Sequence, residues 1–197
     1  MSFALGCLLA YLIGGVPFSL VLVRMLKGVD IRQMGSGNVG ATNASRAFGP
    51  RARLPMFLLI YLLDTAKGFA PAFFFPALLA GGPASAGVWF GACAVLGHCA
   101  SPYLGLRGGK GVATTTGVVA AFDPAALGIS IGAFLAVFAV TRKVFLGSLA
   151  LGVTLAVAII FRDVDSAFST RMVETGFGLA VAAFLFFTHR SNIKAGV

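Results

Sequence analysis

Charge is scarce in this 197-residue chain: Asp, Glu, Lys and Arg together make up 11% of it, where a soluble globular domain carries about a quarter. That scarcity excludes an ordinary water-soluble fold. Acids are scarcer still, six against fifteen Lys and Arg. The three cysteines, Cys7, Cys93 and Cys99, are odd in number, sit among apolar residues and lack metal-ligand spacing. They exclude a disulfide framework and a zinc knuckle and read as reduced thiols. The chain shows no internal repeat, no heptads and no low-complexity stretch, which argues against an inverted-repeat transporter. A nucleotide-binding P-loop is also missing, because no Ser or Thr follows Lys110 and the glycine spacing around it differs.

What the chain has instead is apolar length. Hydrophobic residues make up 58%, mean hydropathy is +0.96, and runs of roughly 20 apolar residues, enough to cross a bilayer, recur throughout. The first run, Phe3 to Leu26, has no basic start and no small-residue cleavage pattern, so it reads as a retained span and not as a signal peptide. Spans are expected at 3–26, 54–79, 86–104, 112–122, 124–141, 144–161 and 168–188. Together they give an all-α, polytopic integral membrane bundle, one transmembrane domain over residues 1–197 with no soluble appendage.

The net charge of +9 is not that of a nucleic-acid binder, because its distribution follows the spans. Arg24, Lys27, Arg32, Arg46, Arg51 and Arg53 fall between the first two, or at their edge. Arg107 and Lys110 follow the third, Arg142 and Lys143 the fifth, and Arg190 and Lys194 the seventh. The gap from Gly81 to Ser85 carries no charge, and four acids, Asp123, Asp163, Asp165 and Glu174, lie on or near the opposite side. Lys and Arg mark the cytoplasmic side, so seven spans with the N-terminus out and the C-terminus in satisfy the pattern, Arg162 and Arg171 excepted. Span 112–122 is about half the usual length and reads as short or re-entrant. Merging 112–141 across Asp123-Pro124 would leave six spans and place Arg142, Lys143 and the basic tail outside, against the same preference.

Three polar stretches then share the cytoplasmic side. Gly35-Ser36-Gly37-Asn38-Val39-Gly40-Ala41-Thr42-Asn43, followed by Arg46, is dense in hydroxyl and carboxamide groups, and Arg can clamp an oxyanion with two N–H groups. Gly105-Leu106-Arg107-Gly108-Gly109-Lys110-Gly111 lets several N–H groups point into one hollow rimmed by positive charge, which suits a phosphate. The helix expected from Val112 would add its N-terminal dipole. The tail, Thr188-His189-Arg190-Ser191-Asn192-Ile193-Lys194, places His189 and Asn192 on one helix face at the membrane edge. Each stretch also has a plain reading, as a solvated turn, a tight interhelical turn and a positive-inside anchor. His98 alone reads as a helix-end histidine. Asp64 and Lys67, three residues apart inside a span, can neutralise each other or act in function. Gly6, Ala10 and Gly14 line up for a close helix contact. A carrier for a phosphorylated or lipid anion would also want basic loops, but its site belongs near the midplane, where only Asp64 and Lys67 are suitably placed.

Taken together, the three stretches resemble the bacterial acyl-phosphate:glycerol-3-phosphate acyltransferase family. The likeness rests on Gly35–Asn43 with Arg46, on Gly97-His98 through Gly108-Gly109-Lys110-Gly111-Val112-Ala113-Thr114, and on His189-Arg190-Ser191-Asn192-Ile193, with Leu63-Asp64 and Lys67-Gly68 matching the family's second span. The resemblance implies a seven-span bacterial cytoplasmic-membrane enzyme with its site facing the cytoplasm. It implies transfer of a fatty acyl group from acyl phosphate to the 1-hydroxyl of glycerol 3-phosphate, giving lysophosphatidate and phosphate without cofactor or metal. Its partners would be those two substrates and membrane lipid, and the working unit a monomer.

Under the resemblance, Ser36, Arg46, His189 and Asn192 carry the chemistry. Gly37, Asn38, Thr42 and Asn43 hold the donor, and Gly108, Gly109, Lys110 and Gly111 hold glycerol 3-phosphate. Backbone N–H groups around Ser36–Asn38 would stabilise the oxyanion. The attacking proton would go to His189 or to the donor's own phosphate, the latter favoured because the close His-Asp pair of soluble acyltransferases is absent. The chain reaches Val197 without the acidic residue the family often carries beyond the third stretch.

Overall fold

The computed structural model describes residues 1–79 and 82–195. Ala80 and Gly81, where the uncharged gap was expected to begin, lie outside them. The described residues form eleven α-helices and no strand, in two compact units, Met1–Val118 and Val119–Val197. Four segments are long and apolar enough to cross a membrane: Phe3–Lys27, Pro50–Leu78, Pro124–Thr141 and Val144–Phe161. Ala86–Cys99, Val112–Phe122 and Met172–Thr188 are apolar but shorter.

In the first unit the leading apolar run is broken. Helix α1 (Phe3–Gly15) stops before Val16-Pro17 and α2 (Phe18–Lys27) restarts beyond them. Pro17 has no N–H and its ring clashes with the preceding turn, so a continuous helix is blocked. The break leaves carbonyls at the end of α1 without helical partners. Ser101 Oγ donates to the Gly15 carbonyl at 2.6 Å and Lys67 Nζ to the Val16 carbonyl at 2.8 Å.

A four-residue helix, α3 (Ala41–Ala44), leads to α4 (Pro50–Phe74), which begins before the expected 54 because Pro50 opens it at a position needing no donor. Helix α5 (Ala86–Cys99) ends earlier than the expected 104: Ser101 is extended ahead of Pro102 and caps a short 3₁₀ turn through Tyr103 N–H.

Small residues bring these helices together, as packing in lipid requires. Gly14 lies against the backbone of Ala94, Gly97 against the Tyr11 carbonyl, and Gly6 against the Phe90 ring, so a methyl group at any of them would clash. The expected close face of α1 is therefore its contact with α5, with Ala10 fully buried. Helix α6 begins at Val112. Its Gly117 packs on the Thr65 carbonyl and its Thr114 carbonyl on Gly68 of α4, and Tyr61 Oη and Thr116 Oγ1 share a hydrogen bond of 3.0 Å.

In the second unit α6 ends at Phe122, and α7 (Pro124–Thr141) starts on Asp123, whose carboxylate accepts the Ala126 N–H at 3.0 Å. The Asp123-Pro124 boundary thus separates two helices. Helix α8 (Val144–Phe161) packs on α7 through Gly147 against Phe134. After a short α9 (Val164–Ala167), α10 (Met172–Thr188) starts four residues later than expected and packs Gly178 against Ile159 and Ala156. Arg162 and Arg171, the two basic residues that run against the charge pattern, both pair with the buried Asp123 carboxylate, Arg171 at 2.7 Å.

Candidate active site

The first polar stretch is a loop wound around one side chain. Asn43 is 3% exposed. Its Nδ2 donates to the carbonyls of Ile31, Met34 and Asn38 at 3.0, 3.1 and 3.0 Å, and its Oδ1 accepts the Ser36 N–H at 3.1 Å. Gly35 and Gly37 have φ of 52° and 68°, left-handed values that a side chain would strain, and a Cβ on Gly35 would also strike Asn43 Oδ1.

Asn38 Oδ1 accepts the Gly40 N–H at 2.8 Å, and Ser45 Oγ donates to the Thr42 carbonyl at 3.2 Å. Ser19 Oγ donates to the Val39 carbonyl, tying the loop to α2. Ser36, Gly37 and Arg46 are exposed, and Arg46 Nη1 lies beside Gly35. Upstream, hydrogen bonding from Arg32 holds the half-buried Asp30 carboxyl down at about 2.

Two expectations shift here. The Ser36 and Gly37 N–H groups are already taken, by Asn43 Oδ1 and by the Met34 carbonyl at 2.8 Å, so of the Ser36–Asn38 amides only that of Asn38 is left to face an oxyanion. Every polar atom of the Asn43 side chain shapes the loop. Its Oδ1 thereby fixes the Ser36 N–H.

The glycine-rich stretch closes on the end of α5. Ser101 N–H donates to the Arg107 carbonyl at 3.3 Å, Leu106 N–H to the Ser101 carbonyl at 2.9 Å, and Gly109 N–H to the His98 carbonyl at 3.0 Å. Gly105 and Gly111 take left-handed φ of 62° and 83°, as does Leu106 at 59°. Lys110 is half-buried, and burial pulls its pKa below the ordinary lysine range. An anion bound beside a half-buried lysine favours its charged form.

Both loops hang from the α1–α2 break, the first through Ser19 and the second through Ser101. Leu104 packs into the same apolar cluster as Ile31, Val39, Ala41, Ala44 and Phe48. The first two expected stretches therefore share one scaffold.

The third stretch belongs to the second unit. His189 is 3% exposed and ends α10, its Nδ1 lying 2.9 Å from the Leu185 carbonyl. A carbonyl only accepts, so Nδ1 carries the hydrogen and Nε2 is the basic nitrogen of the neutral ring. Asn192 is half-buried in α11 (Arg190–Ala195), one turn on.

A cluster that single-residue reading misses lies beneath the second loop. Asp64 and Lys67 pair at 2.8 Å, each side chain 3% exposed, and His98 Nδ1 is 3.9 Å from the same Asp64 oxygen. The sequence signals were the charged pair inside a span and His98 at the head of the second matching stretch.

The glycerol-3-phosphate acyltransferase family matches residues 4–197 of the chain. A glycerol-3-phosphate acyltransferase of Myxococcus xanthus is 43% identical over 187 residues, covering 94% of this chain and 91% of its own length. One from Anaeromyxobacter sp. strain K is 40% identical over 196 residues, covering 96% and 92%. Among solved structures, the glycerol 3-phosphate form of PlsY (YgiH), described as an integral membrane glycerol 3-phosphate acyltransferase, superposes with a TM-score of 0.83 at 33% identity, covering 98% of this chain and 91% of that one. Its lysophosphatidic acid form superposes with a TM-score of 0.80 at 32% identity.

Proposed function

The chain belongs to the glycerol-3-phosphate acyltransferase family, and from that premise we propose that it transfers a fatty acyl group from acyl phosphate to the 1-hydroxyl of glycerol 3-phosphate. The products are lysophosphatidate and inorganic phosphate. The observation that carries this reading is the pairing, on one helix break, of a rigid loop presenting Ser36 and Arg46 with a glycine loop carrying the half-buried Lys110.

Acyl phosphate is a mixed anhydride with a good leaving group, so no covalent acyl-enzyme is needed. The hydroxyl oxygen attacks the acyl carbon, the carbonyl oxygen becomes an oxyanion, and the carbon–oxygen bond to phosphate then breaks. Ser36 Oγ and the Asn38 N–H serve the oxyanion, with each such donor contributing ~10²–10³ in rate. Arg46, with Thr42, holds the donor's phosphate, and Gly37, with its N–H on the Met34 carbonyl, and Asn43 fix their loop. Gly108, Lys110 and Gly111 take the phosphate of glycerol 3-phosphate on a loop that Gly109 ties to the His98 carbonyl, which supports its alignment for attack. His189 and Asn192 enter on the resemblance alone, as partners of glycerol 3-phosphate. The attacking proton passes to the departing phosphate, whose dianion is a competent base.

We read seven crossings with the N-terminus outside, counting the three shorter apolar helices, because Lys and Arg then gather on the cytoplasmic side. The molecule works as a monomer in the bacterial cytoplasmic membrane. Donor identity is the sharpest test. Purified protein given labelled glycerol 3-phosphate should form lysophosphatidate with palmitoyl phosphate and none with palmitoyl-CoA. Product from the thioester would contradict the assignment.

A further inference from the structure

We infer that His98, backed by the buried Asp64–Lys67 pair, is the positioning residue that sets the shape of the Gly108–Gly111 loop and through it the affinity for the phosphate of the acceptor. The inference rests on the proposed function for its ligand and goes beyond it in assigning His98, Asp64 and Lys67.

Two parts of His98 meet the loop. Its carbonyl accepts the Gly109 N–H at 3.0 Å. Its ring lies so close that a Cβ on Gly109 would collide with Nε2, Cε1 and Cδ2, the three atoms nearest to it. Gly109 is not among the glycines with left-handed φ. An alanine there meets no left-handed backbone penalty, and the imidazole is the nearest obstacle to it. The loop's path at its centre is dictated by where that ring sits.

The ring is itself held. His98 is 6% exposed on α5, and its Nδ1 has no hydrogen-bond partner among the described residues. At 3.9 Å from Nδ1 stands Asp64 Oδ1, close enough to attract the Nδ1 edge and turn the Nε2 edge toward Gly109. Asp64 is fixed by Lys67 at 2.8 Å, and Lys67 by the Val16 carbonyl and the face of Phe18, 5.8 Å from the ring centre. Charges buried this deeply are costly unless paired. The pairing here runs in one chain from the α1–α2 break through Lys67 and Asp64 to the ring under the loop. On the other side of that break, Ser101 at the loop's base holds the Gly15 carbonyl. The loop is thus braced at its base by Ser101 and at its centre by His98.

The test is a double-mutant cycle in the full-length protein in detergent micelles. G109A should raise KM for glycerol 3-phosphate by roughly ten- to a hundredfold, the scale of overpacking a tight site, while KM for palmitoyl phosphate stays within about twofold. H98A/G109A removes the colliding ring, so the same alanine should then change KM by less than about threefold relative to H98A. Multiplicative effects, or equal shifts in both KM values, overturn the inference.

If G109A fails to accumulate, recovery of folded protein in H98A/G109A supports the contact. In that event D64N/K67M, which removes both charges at near-constant volume, decides the backing role: a raised KM for glycerol 3-phosphate alone supports it and an unchanged one defeats it. Amide exchange at residues 105–111 gives a readout that needs no catalysis. It should quicken in G109A and return in H98A/G109A, whether or not the wild-type protein transfers acyl groups. Inactive wild type with that exchange pattern would sink the proposed reaction and leave the bracing intact.

Discussion

Asn43 Oδ1 accepts the backbone N–H of Ser36 at 3.1 Å while the other end of the same amide collects the carbonyls of Ile31, Met34 and Asn38. One buried side chain therefore decides where the exposed Ser36 hydroxyl stands. Asn43→Ala leaves three carbonyls and one N–H without that partner and should cost about 2–4 kcal/mol at roughly 1 kcal/mol per bond. Asn43→Asp keeps the volume and still places a carboxylate oxygen among three carbonyls, so it should be at least as damaging. Thermal unfolding of the two variants in detergent checks the order.

Ser36→Ala tests the chemistry and spares the fold. Ser36 is exposed and its N–H remains bound to Asn43, so the unfolding temperature should not move. Turnover should fall by about 10², the loss of one oxyanion donor, with both KM values near wild type. An unimpaired variant removes Ser36 from the site.

Lys110 gives a pH dependence with a definite sign. Burial disfavours its charged form, so the free protein gains stability as pH rises through the lowered pKa, up to the ordinary lysine value. An anion at the loop does the reverse and favours the protonated amine. KM for glycerol 3-phosphate should therefore climb at a lower alkaline pH than an exposed lysine would allow. Lys110→Arg, whose guanidinium stays charged, should flatten that climb. Lys110→Ala should raise KM for glycerol 3-phosphate about 10–100-fold, the worth of one charge-assisted bond, with little change for acyl phosphate.

Asp123 is a stability site with no part in the proposed chemistry. Its carboxylate caps α7 and pairs with Arg162 and Arg171. Because both arginines are partly exposed, Asp123→Ala should cost about 1–3 kcal/mol, cap included. Both KM values should stay unchanged. A selective loss of substrate affinity would place Asp123 in the site.

Hydropathy and charge located α6, α7 and α8 to the residue, because their ends coincide with the switch from apolar to polar sequence. A hydropathy sum over Phe3–Leu26 passes through Pro17, however, since it weighs side chains and ignores a missing N–H. The same blindness carried the third span past Ser101-Pro102. Within the site, the residue types of Ser36, Arg46 and Lys110 announced anion chemistry. Asn43 was expected on the donor and His98 as a helix-end histidine within a matching stretch, and the sequence said nothing of their neighbours. What distinguishes them is what they touch, carbonyls brought by the chain's own fold in one case and Gly109 with Asp64 in the other.

The reaction itself is tested most directly by following phosphate release from palmitoyl phosphate by the purified protein in metal-free detergent buffer, with and without glycerol 3-phosphate. The expected result is release that requires the acceptor and matches lysophosphatidate mole for mole. Folded protein that releases no phosphate, or releases it equally without acceptor, would contradict acyl transfer.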